Sequence, residues 1–222
     1  MHLSTDFFTG IVCPVIGIVL SNAMFLVPLP AVNRARKRID MKELNPTPWV
    51  AAFSYCLGYT LYAILQRNLY ILLAFWPGLL LTVYYVLSAI SVLSSLCTDT
   101  TIRISCSIQA MFIFGLFFWI ILAMVCSWMY TGENSRDSSA DLIGTFSAIV
   151  CVFYYAAPLS SFKTVLTTRN SRPIHVPTIC VNLVNSSLWC AYGYYELHKP
   201  QLWVPNGIGA CLSAIALLLL LI

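Results

Sequence analysis

Pro28-Leu-Pro-Ala-Val32 returns 130 residues later as Pro158-Leu-Ser-Ser-Phe162, and each copy runs into a basic stretch. Two further pairs keep the spacing. Tyr59-Thr-Leu-Tyr-Ala63 corresponds to Trp189-Cys-Ala-Tyr-Gly193 at an offset of 130, and Phe75-Trp-Pro-Gly78 to Asn206-Gly-Ile-Gly209 at 131. Leu44-Asn-Pro-Thr-Pro48 and Ile174-His-Val-Pro177 open the equivalent segments between them. A constant offset across separate landmarks marks an internal repeat. The chain reads as two related halves, 1–98 and 133–222, with 99–132 left over as a linker.

The solvent of these halves follows from composition. Of 222 residues, 59% are hydrophobic and 9% charged, with a mean hydropathy of +0.83. A soluble domain carries roughly 25% charged residues, so most of this surface must face lipid. Apolar stretches fall at about 8–31, 47–65, 69–95, 102–130, 141–165, 174–195 and 201–222. Each is close to the roughly 20 residues that a spanning helix needs. The runs are continuous, without the alternation of a lipid-facing barrel strand, and open sheet edges are untenable in hydrocarbon. The expected fold is an all-α membrane protein of seven transmembrane helices, three plus one plus three. The odd linker helix restores the direction of the second half, so the repeats are parallel.

Basic residues orient the chain. Nine Lys and Arg lie in the loops after the first, third and fifth spans, including Arg34, Arg36, Lys37, Arg38, Lys42 and Arg103. Three lie on the other side: Arg67, Arg136 and Lys199. The N-terminus is expected outside or lumenal and the C-terminus cytosolic, in the plasma membrane or an endomembrane. The first apolar run is too long for a cleaved signal and has no basic leader. The acidic, Ser-rich segment 131–141 reads as a solvated outer loop. The sequon at Asn185 lies inside a span and is discounted.

No enzyme is expected. There is no metal or nucleophile motif, and no CxxC pair among the nine cysteines, which read as small apolar packing residues. The acidic residues fall in loops or at span ends. Ion-coupled carriers usually need an intramembrane carboxylate or histidine, so uncoupled movement of a neutral solute fits better. No cofactor, metal or nucleic acid is called for.

Two groups of residues stand out. Pro28, Pro48, Pro158 and Pro177 hold equivalent places, two per half; they read either as hinges or as markers of helix ends. Asn206 lies inside the last span among Pro205, Gly207 and Gly209, and Trp189 in the span before it. An aromatic face with an amide suits a neutral polyhydroxyl, although an Asn can equally bridge two helices.

Tyr155-Ala-Ala-Pro-Leu-Ser-Ser-Phe-Lys163, Ile174-His-Val-Pro177, Trp189-Cys-Ala-Tyr-Gly193 and Val204-Pro-Asn-Gly-Ile-Gly209 together resemble the second repeat of a SWEET sugar transporter, and Phe25 through Gly78 its first. The resemblance implies bidirectional uniport of mono- or disaccharides by alternating access. It also implies a proline tetrad at Pro28, Pro48, Pro158 and Pro177, and a sugar held by one Asn and one Trp-type position per half. Those are Asn206 and Trp189 in the second half. The first half departs: Phe75 stands where an Asn is expected, Tyr59 at the Trp-type position and Tyr55 at another frequent Asn position. At the outer gate Lys199 replaces an acidic residue and is expected opposite Tyr62. A hydroxyl left unpaired at Phe75 would cost about 1–3 kcal/mol. A carrier of another small neutral solute, or a transport-impaired relative acting as a scaffold or a homo- or hetero-oligomer partner, therefore stays in view. A seven-helix receptor and a relative of the PQ-loop exporters fit the repeat and its motifs less well.

Overall fold

The computed structural model describes residues 7–41, 44–129, 135–156 and 176–219. The described residues form seven helices, α1 to α7: Phe8–Arg38, Thr47–Gln66, Leu69–Ser95, Asp99–Met129, Ser135–Ala156, Val176–Ala191 and Pro200–Leu218. Six of them are long and apolar enough to cross a membrane. The other, α6, has 16 α-helical residues, prolonged by a π turn at Tyr192–Glu196.

Local chemistry explains the boundaries. α1 opens with a π turn, Phe8–Val12, and is interrupted at Val27–Pro28, because Pro28 has no N–H to donate into the preceding turn. It resumes at Leu29 and ends when Ile39 turns left-handed at φ 52°. α2 starts with Pro48 in its first turn, where a missing N–H costs no hydrogen bond. It is joined to α3 through Arg67, at φ 51°, and Asn68, whose side chain caps Ile71 N at 3.1 Å. Pro77 and Pro205 lie inside α3 and α7.

Two expectations about loops are corrected. Residues 34–38, read as a basic loop, are the last turns of α1. Ala, Arg and Lys are good helix formers, and Arg36, Lys37 and Arg38 suit the negative end of the helix dipole. The acidic outer loop is likewise helical from Ser135. Ser and Asp favour a helix N-terminus, Arg136 Nε donates to the Leu65 carbonyl, and Ser139 and Ala140 are buried.

The chain forms two compact units. One consists of Met1–Ser21 with Ala148–Ile222, the other of Asn22–Ser147. In the larger, Asn22–Ser147, α2 packs along α3, and α4 packs on both. Val50, Val86 and Ile108 meet in one cluster, and Ala35, Met41, Ala89, Val92 and Leu93 in another. Trp119 is fully buried, with Nε1 donating to Ser54 Oγ at 3.0 Å. Gly58 makes room for it: a Cβ there would stand 2.3 Å from its Cη2. In the other unit α6 packs along α7, and the two π turns meet. Gly193 lets the backbones close, 2.9 Å separating its notional Cβ from Trp203 N. The outward face of α4 is apolar, with Phe114, Met124 and Trp128 exposed. In hydrocarbon such a face is simply solvated.

Candidate functional site

In the unit of 1–21 and 148–222 the site is polar and centred on Trp189. Its indole is 2% exposed. Nε1 donates to Ser21 Oγ at 3.1 Å, and Ser21 Oγ donates to Asn185 Oδ1 at 3.2 Å. Residues from α1 and α6 thus form one chain of hydrogen bonds. The indole sits on Gly17, where a Cβ would approach Nε1 and Cε2 to 2.9 Å. Tyr192 stands edge-on to it, with ring centroids 5.9 Å apart. At the start of α1 Thr9 donates to the carboxylate of Glu196, in the π turn that ends α6.

Asn206 lies on α7, packed along α6, and is buried. Its Nδ2 donates to the Leu202 carbonyl at 2.8 Å, one turn earlier. Gly209, one turn on, admits the Tyr155 ring and Ser186 Oγ to within 3.0 and 3.1 Å of its notional Cβ.

In the unit of 22–147 the equivalent positions are aromatic. Tyr59 and Phe75 stack at 4.6 Å with ring planes 19° apart. Tyr55 meets Phe75 edge-on at 6.2 Å, and Tyr62 meets Tyr59 at 6.3 Å. Phe25 lies 6.5 Å from Tyr55, over Gly78. Tyr55, Tyr59 and Tyr62 are buried. Phe75 therefore covers one flat face of Tyr59. An aromatic pair of this kind contributes about 0.5–1.5 kcal/mol beyond its burial.

The remaining candidates sit at helix ends. Pro28 lies at the interruption in α1, Pro48 in the first turn of α2 and Pro177 at the start of α6. Pro158 lies outside the described residues. Lys199 forms the N-terminal boundary of α7, and Leu202 and Trp203 donate their N–H groups to its carbonyl. Ser21, Gly17 and Asn185 were not singled out from the sequence. Asn185 does carry a signal in the sequence: it stands 130 residues after Tyr55, the same offset as Tyr59 to Trp189.

The family model for the sugar efflux transporter for intercellular exchange matches residues 10–94 and 141–222. The chain belongs to this family. Among curated relatives, it is 26% identical over 208 residues to the bidirectional sugar transporter SWEET5 of Arabidopsis thaliana, covering 92% of this chain and 82% of that one. To SWEET17 of the same plant it is 27% identical, covering 92% and 81%. To the sugar transporter SWEET1 of Dictyostelium discoideum it is 20% identical, covering 89% and 86%. Among solved structures, a eukaryotic SWEET transporter superposes with a TM-score of 0.80 over 95% of this chain and 94% of that one, at 16% identity. That likeness establishes the fold. In this chain Trp189 and Asn206 have polar partners, and Phe75 lies among aromatic rings.

Proposed function

We propose that this chain carries sugars passively across its membrane, in either direction, by alternating access. The repeats 1–98 and 133–222, joined by the linker 99–132, are the moving parts, and Pro28, Pro48, Pro158 and Pro177 are their hinges. The N-terminus faces outside or the lumen and the C-terminus the cytosol. Trp189 and Asn206 carry substrate recognition, with Ser21 and Asn185 holding the indole, and Tyr62 and Lys199 belong to the outer gate. Membership of the family, the relatives named as sugar transporters and the charge asymmetry of the loops support this reading.

The observation that carries it is Asn206. It is a buried amide inside a spanning helix; polar groups at such places often mark a pathway, and an amide can exchange hydrogen bonds with a sugar hydroxyl. The test is uptake of labelled glucose, fructose and sucrose into proteoliposomes. Saturable uptake without a proton or sodium gradient, strongly reduced by Asn206→Ala, is expected. If the folded protein moves none of these sugars, the reading fails.

The Tyr59–Phe75 stack favours a second reading, a transport-impaired relative that works as a scaffold or oligomer partner. Absence of uptake by the wild type, combined with altered uptake by an active family member expressed alongside it, would select this alternative. Uptake of a different small neutral solute would instead keep the carrier and change its cargo.

A further inference from the structure

The basic end of α1 holds charges of two kinds. Arg36 is committed to the protein: Nη1 donates to the Tyr84 hydroxyl at 2.9 Å, and its guanidinium carbon lies 5.4 Å from the centroid of that ring. The same hydroxyl donates to Asn33 Oδ1 at 2.6 Å. Asn33 and Arg36, three residues apart, therefore face α3 together. Tyr84 clamps the helix and fixes its rotation.

Arg34, Lys37 and Arg38 are left on other faces. Spaced i, i+3 and i+4, they share one stripe, an arc of about 100°. All three are exposed, and none makes an ion pair or a side-chain hydrogen bond among the described residues. The helix is continuous from Leu29 to Arg38, so the stripe is held in a fixed direction.

Its height is set by helix length. From Phe8, about 20 residues cross a hydrocarbon core of about 30 Å. That brings the chain to the interruption at Val27–Pro28. Seven residues on, at roughly 1.5 Å each, Arg34 stands about 10 Å beyond the core, at the level of the headgroups. The positive-inside bias accounts for positive charge at this end. It does not require three unpaired cations aligned on one rigid face while a fourth is withdrawn from it.

We propose that Arg34, Lys37 and Arg38 form a docking stripe for a polyanionic inositol phospholipid in the leaflet at this end of α1. Clusters of Lys and Arg next to a span attract such headgroups, and the guanidinium forks of Arg34 and Arg38 suit bidentate contact with phosphate. The site is independent of the transport reading. Only its assignment to the cytosolic leaflet rests on the orientation proposed above.

The test titrates the detergent-solubilised full chain with fluorescent phosphatidylinositol 4,5-bisphosphate in mixed micelles. The wild type should bind saturably and release the lipid as salt is raised from 0.1 to 0.5 M, as screening requires. The variant R34Q/K37Q/R38Q should bind about a hundredfold more weakly, at about fivefold per charge, and each single variant about fivefold more weakly. Because the three side chains are exposed, the wild-type unfolding temperature should be kept. Arg67→Gln, at the opposite end of the spans, should leave binding unchanged. Unchanged affinity in the triple variant would overturn the proposal. So would an equal loss in Arg67→Gln, or competition by free inositol trisphosphate as effective as that by the lipid itself.

Discussion

The Trp189 indole rests on Gly17, so closely that a β-carbon on the glycine would lie 2.9 Å from both Nε1 and Cε2. This contact joins α1 to α6 and aims the indole N–H at Ser21. An aromatic ring in a close-packed place cannot yield as the tip of a flexible chain can.

Gly17→Ala should therefore displace the indole and break its bond to Ser21. Overpacking of this kind costs about 1–3 kcal/mol. The expected result is a lower unfolding temperature in detergent, a shifted tryptophan emission and sugar uptake reduced at least about tenfold. Wild-type values for all three would show that the contact yields at no cost.

Ser21→Ala removes both the acceptor for Trp189 Nε1 and the donor to Asn185 Oδ1. Leaving buried polar atoms unsatisfied should cost about 1–3 kcal/mol. Once Asn185 is alanine, the loss on replacing Ser21 should be smaller, since residues in one network couple by about 0.5–3 kcal/mol. A double-mutant cycle on thermal unfolding measures this directly; strict additivity would mean that the three groups do not act together.

Gly58 and Gly115 should respond differently to the same added methyl. At Gly58 a Cβ would meet Trp119 Cη2 and Ser147 Oγ at 2.3 Å; at Gly115 the nearest atom, on Phe53, is 3.8 Å away. Gly58→Ala should destabilise by about 1–3 kcal/mol or more. Gly115→Ala should be neutral or slightly stabilising, because alanine is the better helix former by about 1 kcal/mol. Comparison of the two unfolding temperatures is the check.

Phe75→Asn removes the ring stacked on Tyr59 and restores hydrogen-bonding capacity. Stability should fall by at least about 0.5–1.5 kcal/mol for the lost aromatic pair. Sugar uptake should rise, most for the more heavily hydroxylated substrates, because the open Tyr59 face and the new amide can both engage them. Competition between labelled glucose and sucrose in proteoliposomes reads the change in preference; a uniform fall for every sugar would mean that Phe75 supports the transporter rather than restricting it.

Asn68→Ala removes the side-chain cap on Ile71 N at the start of α3. A loss of about 1 kcal/mol is expected, seen as a lower unfolding temperature with the preference among sugars unchanged. A changed preference would show that the tight α2–α3 connection helps shape the site.

Much of the fold is legible along the chain because lipid imposes it. Continuous apolar runs have no stable form in hydrocarbon except helices, so the spans of α2 and α3 were placed to within a residue or so. The ends of α1 and α5 were less legible. Hydropathy stops reporting where a helix leaves the membrane, and Arg34–Arg38 and Ser135–Asp141 continue as polar helix. Their continuation depends on caps, on the helix dipole and on side chains such as Arg36 and Arg136 that find partners on other helices.

The candidate site divides in the same way. Trp189 and Asn206 stood out as an aromatic and an amide inside spans, and the resemblance to the SWEET transporters added Tyr59 and Phe75. Neither revealed that Trp189 Nε1 is already satisfied by a serine 168 positions away, or that Phe75 lies flat on Tyr59. Seven apolar helices were determined by the sequence itself, through composition and the length of its hydrophobic runs; that an amide is expected at residue 75 came from the resemblance to the SWEET transporters. Which of those side chains are already paired or stacked was decided only in the tertiary structure. Hydrogen bonds and ring stacking depend on distances of a few ångströms between segments far apart in the chain, and no local pattern encodes them.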